Sequence, residues 1–357
     1  MFDMECLKGL FDKTIHITME KLYIELTNRC NLKCTHCYND SNNGICSDLP
    51  INSIESMILY AKECNLTSIA LSGGEALLYP QISKVFEICK DQGLDVMLLT
   101  NGTYFENKTY LNIIFEYLPD IQVSLDGPDA NSNDKIRGDG NFKQALSFIQ
   151  RLKESNYPKR ITINTVLTKY TASIYREMLT VCHKLGVDEL TYSLLTMAGR
   201  AKDNILSVAD DELYNIVKDI NTIIKPNLDN KCQGVGLNHI CSLTSVNDSI
   251  IRLQPKVTSK GEVFPCQMHN NDEYIIGNVA THTLKDILDS PNTRRFLALM
   301  FLRKYYMKEC NACSFKVVCG RGCMAKSIND FGNPFALDGC CKFYKELMLA
   351  DIKKITC

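Results

Sequence analysis

Charge of one sign is what this sequence most conspicuously lacks. Its 357 residues carry 40 Lys and Arg against 41 Asp and Glu, a formal net charge of −1, and the isoelectric point is about 6.6. That balance leaves no electrostatic footprint for duplex nucleic acid or an anionic membrane. Long apolar runs are missing too. The first residues, MFDMECLKGLFDKTIHI, hold no charged segment leading into an apolar one, and no stretch approaches a membrane span. No sequence repeat or low-complexity run is visible, and none of the six histidines shows metal-ligand spacing. These absences argue against a nucleic-acid or membrane protein and predict a cytoplasmic location. The hydrophobic share of 45% and charged share of 23% are those of an ordinary globular chain. At this length one large domain with a smaller one is expected.

Cysteine is the exception, with 18 in the chain. Without an export signal they do not read as a disulfide framework, and reduced thiols suit metal ligation better. Their distribution is uneven. Three stand together at Cys30, Cys34 and Cys37, and seven of the eighteen fall between Cys266 and Cys341. Cys6, Cys46, Cys64, Cys89, Cys182 and Cys357 are scattered; Cys64, Cys89 and Cys182 sit in helical patterns, where a thiol serves as a small hydrophobe.

From residue 21 onward, apolar β-branched runs alternate with helical patterns. The runs are 21–27, 68–74, 95–102, 120–127, 160–168 and 189–196; helices are expected over 51–64, 141–154 and 211–225. Such alternation implies right-handed crossovers and a parallel sheet. Six units are two short of a closed eight-stranded barrel, so the expectation is an α/β fold with an open, partial barrel over 21–228, behind a short extension at 1–20. After Pro226 the pattern turns polar and turn-rich, and 229–357 reads as hairpins and loops rich in cysteine. A hairpin is expected over 256–266, a helix over 283–306 and another over 342–355.

The chemistry of parallel α/β folds gathers at the carboxyl ends of the strands. The first run leads directly into Cys30, Cys34 and Cys37, spaced C-x3-C-x2-C. Three thiolates on a four-iron, four-sulfur cube leave one iron open to a small ligand; a zinc site completed by a distant Cys, or by a His such as His36, is the alternative. The second run ends in Ser72, Gly73, Gly74 and Glu75, two glycines that permit close backbone approach and a carboxylate that can accept from an ammonium. The triple and this SGGE segment together resemble the radical S-adenosylmethionine (SAM) superfamily. The resemblance implies that the open iron binds the amino and carboxylate groups of SAM, and that reduction then releases a 5′-deoxyadenosyl radical. It further implies SAM contacts from Ser72, Gly73, Gly74, Glu75 and Ser124, with Arg137 of the segment DKIRGDGNF steadying a carboxylate. The segment AGRA (198–201) is similar to the peptide-modifying subgroup, without a derivable role.

Towards the C-terminus, Cys310, Cys313, Cys319 and Cys323 form C-x2-C-x5-C-x3-C, preceded by Gly261-x4-Cys266 and followed by the doublet Cys340–Cys341. This resembles the SPASM domain, which implies one or two auxiliary four-iron clusters. By that resemblance Cys310, Cys313, Cys319 and one of the doublet, Cys341 before Cys340, bind the outer cluster. Cys266 and Cys323 serve the inner one with upstream cysteines. There the sequence departs from the pattern. The cysteine expected shortly before Gly261 is missing, and Cys241, with Cys232 behind it, is the nearest candidate.

The resemblance spans about residues 21–345 and implies an enzyme that takes hydrogen from a ribosomally made peptide, leading to a thioether or carbon–carbon crosslink, oxidation or epimerisation. Its implied partners are a peptide or protein substrate, a flavodoxin- or ferredoxin-type reductant and, since only 29 residues precede Cys30, a separate leader-recognition protein. Two further readings stay open: a formylglycine-forming sulfatase-maturing enzyme and oxidation of a small-molecule cofactor precursor. The first is weakened by Gln267, which stands where that family has a proton-accepting Asp. A non-catalytic iron–sulfur or zinc protein would explain the cysteines but leave SGGE without a purpose.

Overall fold

The computed structural model describes residues 8–103, 108–203, 206–224, 234–237, 246–247 and 250–356. Cys6, Cys232, Cys241 and Cys357 lie outside these residues. Strands follow in chain order as β1 (His16–Met19), β2 (Tyr23–Glu25), β3 (Ser68–Ser72), β4 (Asp95–Thr100), β5 (Asp120–Ser124), β6 (Ile161–Leu167) and β7 (Glu189–Leu194). After them come β8 (Gly234–Leu237), β9 (Val246–Asn247), β10 (Ile250–Leu253), β11 (Lys256–Val257), β12 (Glu262–Phe264) and β13 (Gly277–Asn278). All six expected runs form strands, β2 to β7, paired parallel in sequence order.

The sheet does not stop at six. β8 adds in parallel beyond β7, and β11 adds in parallel to β2, carrying antiparallel β12 and β13 with it. The result is one open sheet of ten strands, ordered β13-β12-β11-β2-β3-β4-β5-β6-β7-β8 among the described residues. The hairpin expected over 256–266 is β11–β12, and its Gly261 takes φ +82° to turn the chain. Just beyond β12, Cys266 forms an isolated bridge with Gln254.

Crossover helices cover the sheet. The helix Ile51–Glu63 buries Ile54, Met57, Ile58 and Ala61, three and four residues apart on one stripe. Each fully buried aliphatic side chain there is worth about 1.5–3 kcal/mol. The helix Asn141–Glu154 likewise buries Ala145, Phe148, Ile149 and Leu152. Central strand β6 is buried on nearly every residue, as a strand covered on both faces must be. The helix expected over 283–306 is instead two, Leu284–Leu288 and Pro291–Tyr306. Ser290 caps the second, and Pro291, unable to supply an amide to a preceding turn, takes its first position. No helix among the described residues is long and apolar enough to cross a membrane.

Candidate cofactor site at the strand ends

The loop after β2 carries Cys30, Cys34 and Cys37, and three other segments hold its shape. The SGGE turn after β3 is one. Gly74 N donates to Thr27 O at 2.7 Å and Glu75 N to Arg29 O at 2.8 Å. A Cβ on Gly73, at φ +149°, would lie 2.3 Å from Thr27 O, and one on Gly74 would lie 2.4 Å from Arg29 O. The two glycines therefore let SGGE lie flat against the chain just before Cys30. Glu75, 1% exposed, spends its carboxylate on the protein: Oε1 accepts from Leu77 N (3.2 Å) and Thr100 Oγ1 (2.9 Å), and Oε2 from Asn101 N (2.8 Å). Burial pushes its pKa up to about 7 against those three donors. Asn101, fixed by Glu75, turns its Nδ2 to Asn31 Oδ1 (2.9 Å) and towards Cys30 Sγ (3.9 Å).

The second support is the helix Ala130–Arg137. Asp129 caps its start by accepting from Ser132 N, and Gly138 at φ +107° ends it. The freed carbonyl of Ile136 accepts Thr35 N at 2.9 Å, which ties the thiol loop to the helix terminus. Arg137 is the last residue of this helix and is buried. Arg137 Nε stands 2.7 Å from Asp126 Oδ2, and His36 Nε2 stands 2.9 Å from the same oxygen. Burial opposes ionisation of Asp126, but the Arg137 and His36 charges outweigh it and hold the carboxyl down at about 2. The carboxylate Arg137 steadies is therefore one of the chain's own. His36 Nδ1 is buried without a hydrogen-bond partner among the described residues.

The third support was missed in the sequence. Arg200 of AGRA donates from Nε to Cys34 O (2.8 Å) and from Nη1 to Asp40 Oδ1 and Ser41 O (2.8 Å each), while its amide donates to Cys37 O (3.0 Å). Gly199, at φ +52°, packs so closely that a Cβ would lie 2.5 Å from Cys37 O. Only the position of AGRA after the sixth strand signalled a role.

The three thiols share one neighbourhood. Burial first, then Glu75, Cys34 and Cys37, push the Cys30 thiol up to about 12, against an amide from Leu32. Burial likewise raises Cys34, with Cys37 adding and Arg137 opposing. Thiolates so crowded persist only beside a compensating cation, and three soft sulfur donors suit an iron–sulfur centre. Among the described residues no three His, Cys, Asp or Glu side chains converge closely enough to chelate a single metal ion. Ser72, 7% exposed, and Ser124, half-buried, end β3 and β5, the strands on either side of the β4 that leads into Asn101.

Beneath the loop, the inner face of β2 and β11 carries a buried polar group. Tyr23 OH donates to Ser72 Oγ (2.7 Å), and Tyr38 OH donates to Glu25 Oε1 (3.0 Å). Lys256 is fully buried, its Nζ bonded to Asn270 Oδ1 and facing the rings of Tyr38 and Phe264. Burial lowers the Lys256 pKa, with Glu25 and Cys266 opposing. Burial raises the Cys266 thiol, against the amides of Met268 and His269.

In the C-terminal block, the field around Cys341 includes Cys310 and Cys319, and that around Cys310 includes Cys313. Cys323 opens the helix Met324–Phe331, whose Asn329 Nδ2 donates to Met268 O at 3.0 Å, beside Cys266. Cys89 and Cys182 are core residues at 1% and 0% exposure, and Cys46 is exposed.

These features define an α/β enzyme class with a thiol-bearing loop at the carboxyl ends of its parallel strands. Residues 24–182 match the radical SAM superfamily, and residues 252–314 match SPASM, an iron–sulfur cluster-binding domain. The chain carries a radical SAM domain and a SPASM domain; it is an enzyme whose cofactors are SAM and iron–sulfur clusters. It is 25% identical to the antilisterial bacteriocin subtilosin biosynthesis protein AlbA of Bacillus subtilis, over 97% of this chain and 74% of AlbA. It is 24% identical to the AdoMet-dependent heme synthase of Nitratidesulfovibrio vulgaris, over 89% of this chain and 91% of that protein. The fold is similar to the structure of native anSMEcpe with bound AdoMet, with TM-score 0.75, 20% identity, and 94% and 98% of the two chains covered.

Proposed function

We propose that this chain is a radical SAM maturase that acts in the cytoplasm on a ribosomally made peptide or protein. Cys30, Cys34 and Cys37 hold the iron–sulfur cluster that binds SAM, and Ser72, Gly73, Gly74, Glu75, Ser124 and Arg137 shape the SAM pocket. When bound, these groups supply reductive cleavage of SAM and a radical that removes a hydrogen atom from the substrate. The chain's own residues do the positioning. Glu75, through Asn101, orients the Cys30 side of the loop; Arg200 orients the Cys34–Ser41 side; Asp126 fixes His36 and Arg137 behind it. Cys310, Cys313, Cys319 and Cys341 form an outer auxiliary site, and Cys266, Cys323 and Cys241 contribute to an inner one. The observation that carries the reading is the thiol loop gripped from three sides at the strand ends.

Similarity to AlbA over nearly the whole chain supports a peptide substrate; comparable similarity to a heme synthase keeps a small-molecule substrate as the second reading. Gln267, which cannot accept a proton as a carboxylate does, speaks against formylglycine formation. A flavodoxin- or ferredoxin-type reductant and a separate leader-recognition protein complete the proposed set. The test is anoxic purification, iron and sulfide analysis, then dithionite and SAM. About twelve irons per chain and release of 5′-deoxyadenosine are expected. Cys34→Ala abolishes SAM cleavage, whereas Cys319→Ala spares some cleavage and stops product formation. Zinc in place of iron, with no 5′-deoxyadenosine, sinks the reading. Co-expression with short peptides encoded beside the gene, read by mass spectrometry for loss of hydrogen, separates peptide from small-molecule substrates.

A further inference from the structure

The doublet Cys340–Cys341 carries two adjacent thiols that the fold sends to different places. Cys340 is 2% exposed, whereas Cys341 lies open. The cause is local. The helix Cys341–Thr356 starts here, Tyr344 N donates to Cys340 O at 3.0 Å, and Cys340 takes the position just ahead of the first turn. Asp338, also 2% exposed, fixes its direction. Oδ1 accepts the Cys340 amide at 3.2 Å; Oδ2 accepts the Cys323 amide at 2.6 Å and the Tyr344 hydroxyl at 2.8 Å. One carboxylate therefore ties the chain at Cys340 to the chain at Cys323. The approach is close enough that a Cβ on Gly322 would lie 2.7 Å from Asp338 Oδ2.

The surroundings of the two thiols differ accordingly. The field at the Tyr344 hydroxyl includes both Cys323 and Cys340. Cys310 and Cys319 act on Cys341, while Asp338 and Asp210 act on both members of the doublet. Lys326, ion-paired with Asp330, is the cation that acts on Cys340. Lys326 and Asn329 share the helix that begins at Cys323, and Asn329 ties it to the loop after Cys266. This is also the side on which the cysteine pattern is short of a donor, since none precedes Gly261 at the expected distance.

We propose that the doublet is divided between two metal centres: Cys341 joins Cys310, Cys313 and Cys319, and Cys340 joins Cys323 and Cys266 as the donor that replaces the missing upstream cysteine. The proposal rests on the reading of 252–314 and its flanks as an iron–sulfur domain. A thiolate at Cys340 adds a soft ligand where the set is incomplete; burial and the Asp338, Asp210 and Asp330 carboxylates oppose its charge, and Lys326 favours it. The competing role for a buried cysteine is that of a small hydrophobe.

The test uses the full chain, reconstituted without oxygen, as wild type and as Cys340→Ala, Cys341→Ala, Cys323→Ala and Cys310→Ala. Iron and sulfide content are measured with Mössbauer and EPR spectra. Cys340→Ala is expected to alter the spectral component that Cys323→Ala alters, and Cys341→Ala the component that Cys310→Ala alters. Each removes up to about four irons. Cys340→Ser, which keeps the volume but offers a poorer donor, perturbs the Cys323 component if the alanine variant does not fold. A Cys340→Ala or Cys340→Ser protein with the wild-type spectrum and full iron overturns the proposal, as does a change confined to the Cys310 component. A wild type holding iron only at the amino-terminal site overturns the auxiliary-site reading itself, and this proposal with it.

Discussion

The Arg137 guanidinium stands 2.7 Å from the Asp126 carboxylate, both buried, beside the loop that carries Cys34. The pair has a second neighbour in His36, whose Nε2 stands 2.9 Å from the same oxygen. Breaking a buried pair from one side strands a charge, so Asp126→Ala is expected to cost about 3–5 kcal/mol of stability. Acid acts in the same direction. The Asp126 pKa falls from 3.8 in a free chain to about 2 in the fold. Its contribution is therefore fully present above about pH 4 and is lost as pH falls towards 2. Unfolding titrations at pH 5 and pH 2 check this: the difference between wild type and Asp126→Ala shrinks at the lower pH.

Glu75 makes a sharper case, because an isosteric change suffices. Both its oxygens accept, from Leu77 N, Thr100 Oγ1 and Asn101 N. Glu75→Gln puts an amide NH2 against at least one of those donors in a site 1% exposed. An unsatisfied buried polar group costs about 1–3 kcal/mol. The expected outcome is that much loss in chemical denaturation, with weaker SAM binding because Asn101 and Asn31 lose their anchor. A Glu75→Gln protein as stable as wild type would show that the carboxylate is not the organiser argued for.

Much of this was legible in the sequence, and the parts that were not share a cause. The six parallel strands announce themselves because strands buried on both faces must be apolar and β-branched. The thiol loop shows in spacing alone. By contrast β8, GVGL, is a four-residue edge strand with too little side chain to stand out from the polar segment around it. The pairing of β11 with β2 joins segments far apart in the chain, Lys256 with Tyr23, which local periodicity cannot reveal. Lys256 reads as a surface residue until that pairing buries it. Arg200 and the Asp126–His36 contact act on main chain or side chains far away in sequence. The break at Pro291 was visible in principle, as a Ser-Pro pair suited to a helix start.

Arg200 makes its contacts as a fork, Nε to Cys34 O and Nη1 to Asp40 and Ser41. A lysine has one nitrogen on a flexible stem and cannot reach all three. Arg200→Lys is therefore expected to behave like Arg200→Ala, with a tenfold or greater fall in 5′-deoxyadenosine release and faster iron loss to a chelator at the amino-terminal site. The iron of the C-terminal block is unaffected. Retention of wild-type cleavage by the lysine variant would mean that charge alone, not the fork, holds the loop.

His269 sets the acid limit of the other half of the site. It is 1% exposed, packed against the rings of Tyr274 and Phe296, and its pKa falls from 6.5 to about 3, first by burial and then through Lys256. The folded chain therefore binds fewer protons there than the unfolded chain between about pH 6.5 and pH 3. Stability present above pH 6.5 drains away as pH falls through that window. His269→Phe fits the aromatic surroundings and removes the titration. In metal-free protein the slope of unfolding free energy against pH should then drop by about one proton across the window, while stability at pH 7.5 changes little. An unchanged slope, measured by denaturant unfolding at several pH values, would place the proton uptake elsewhere.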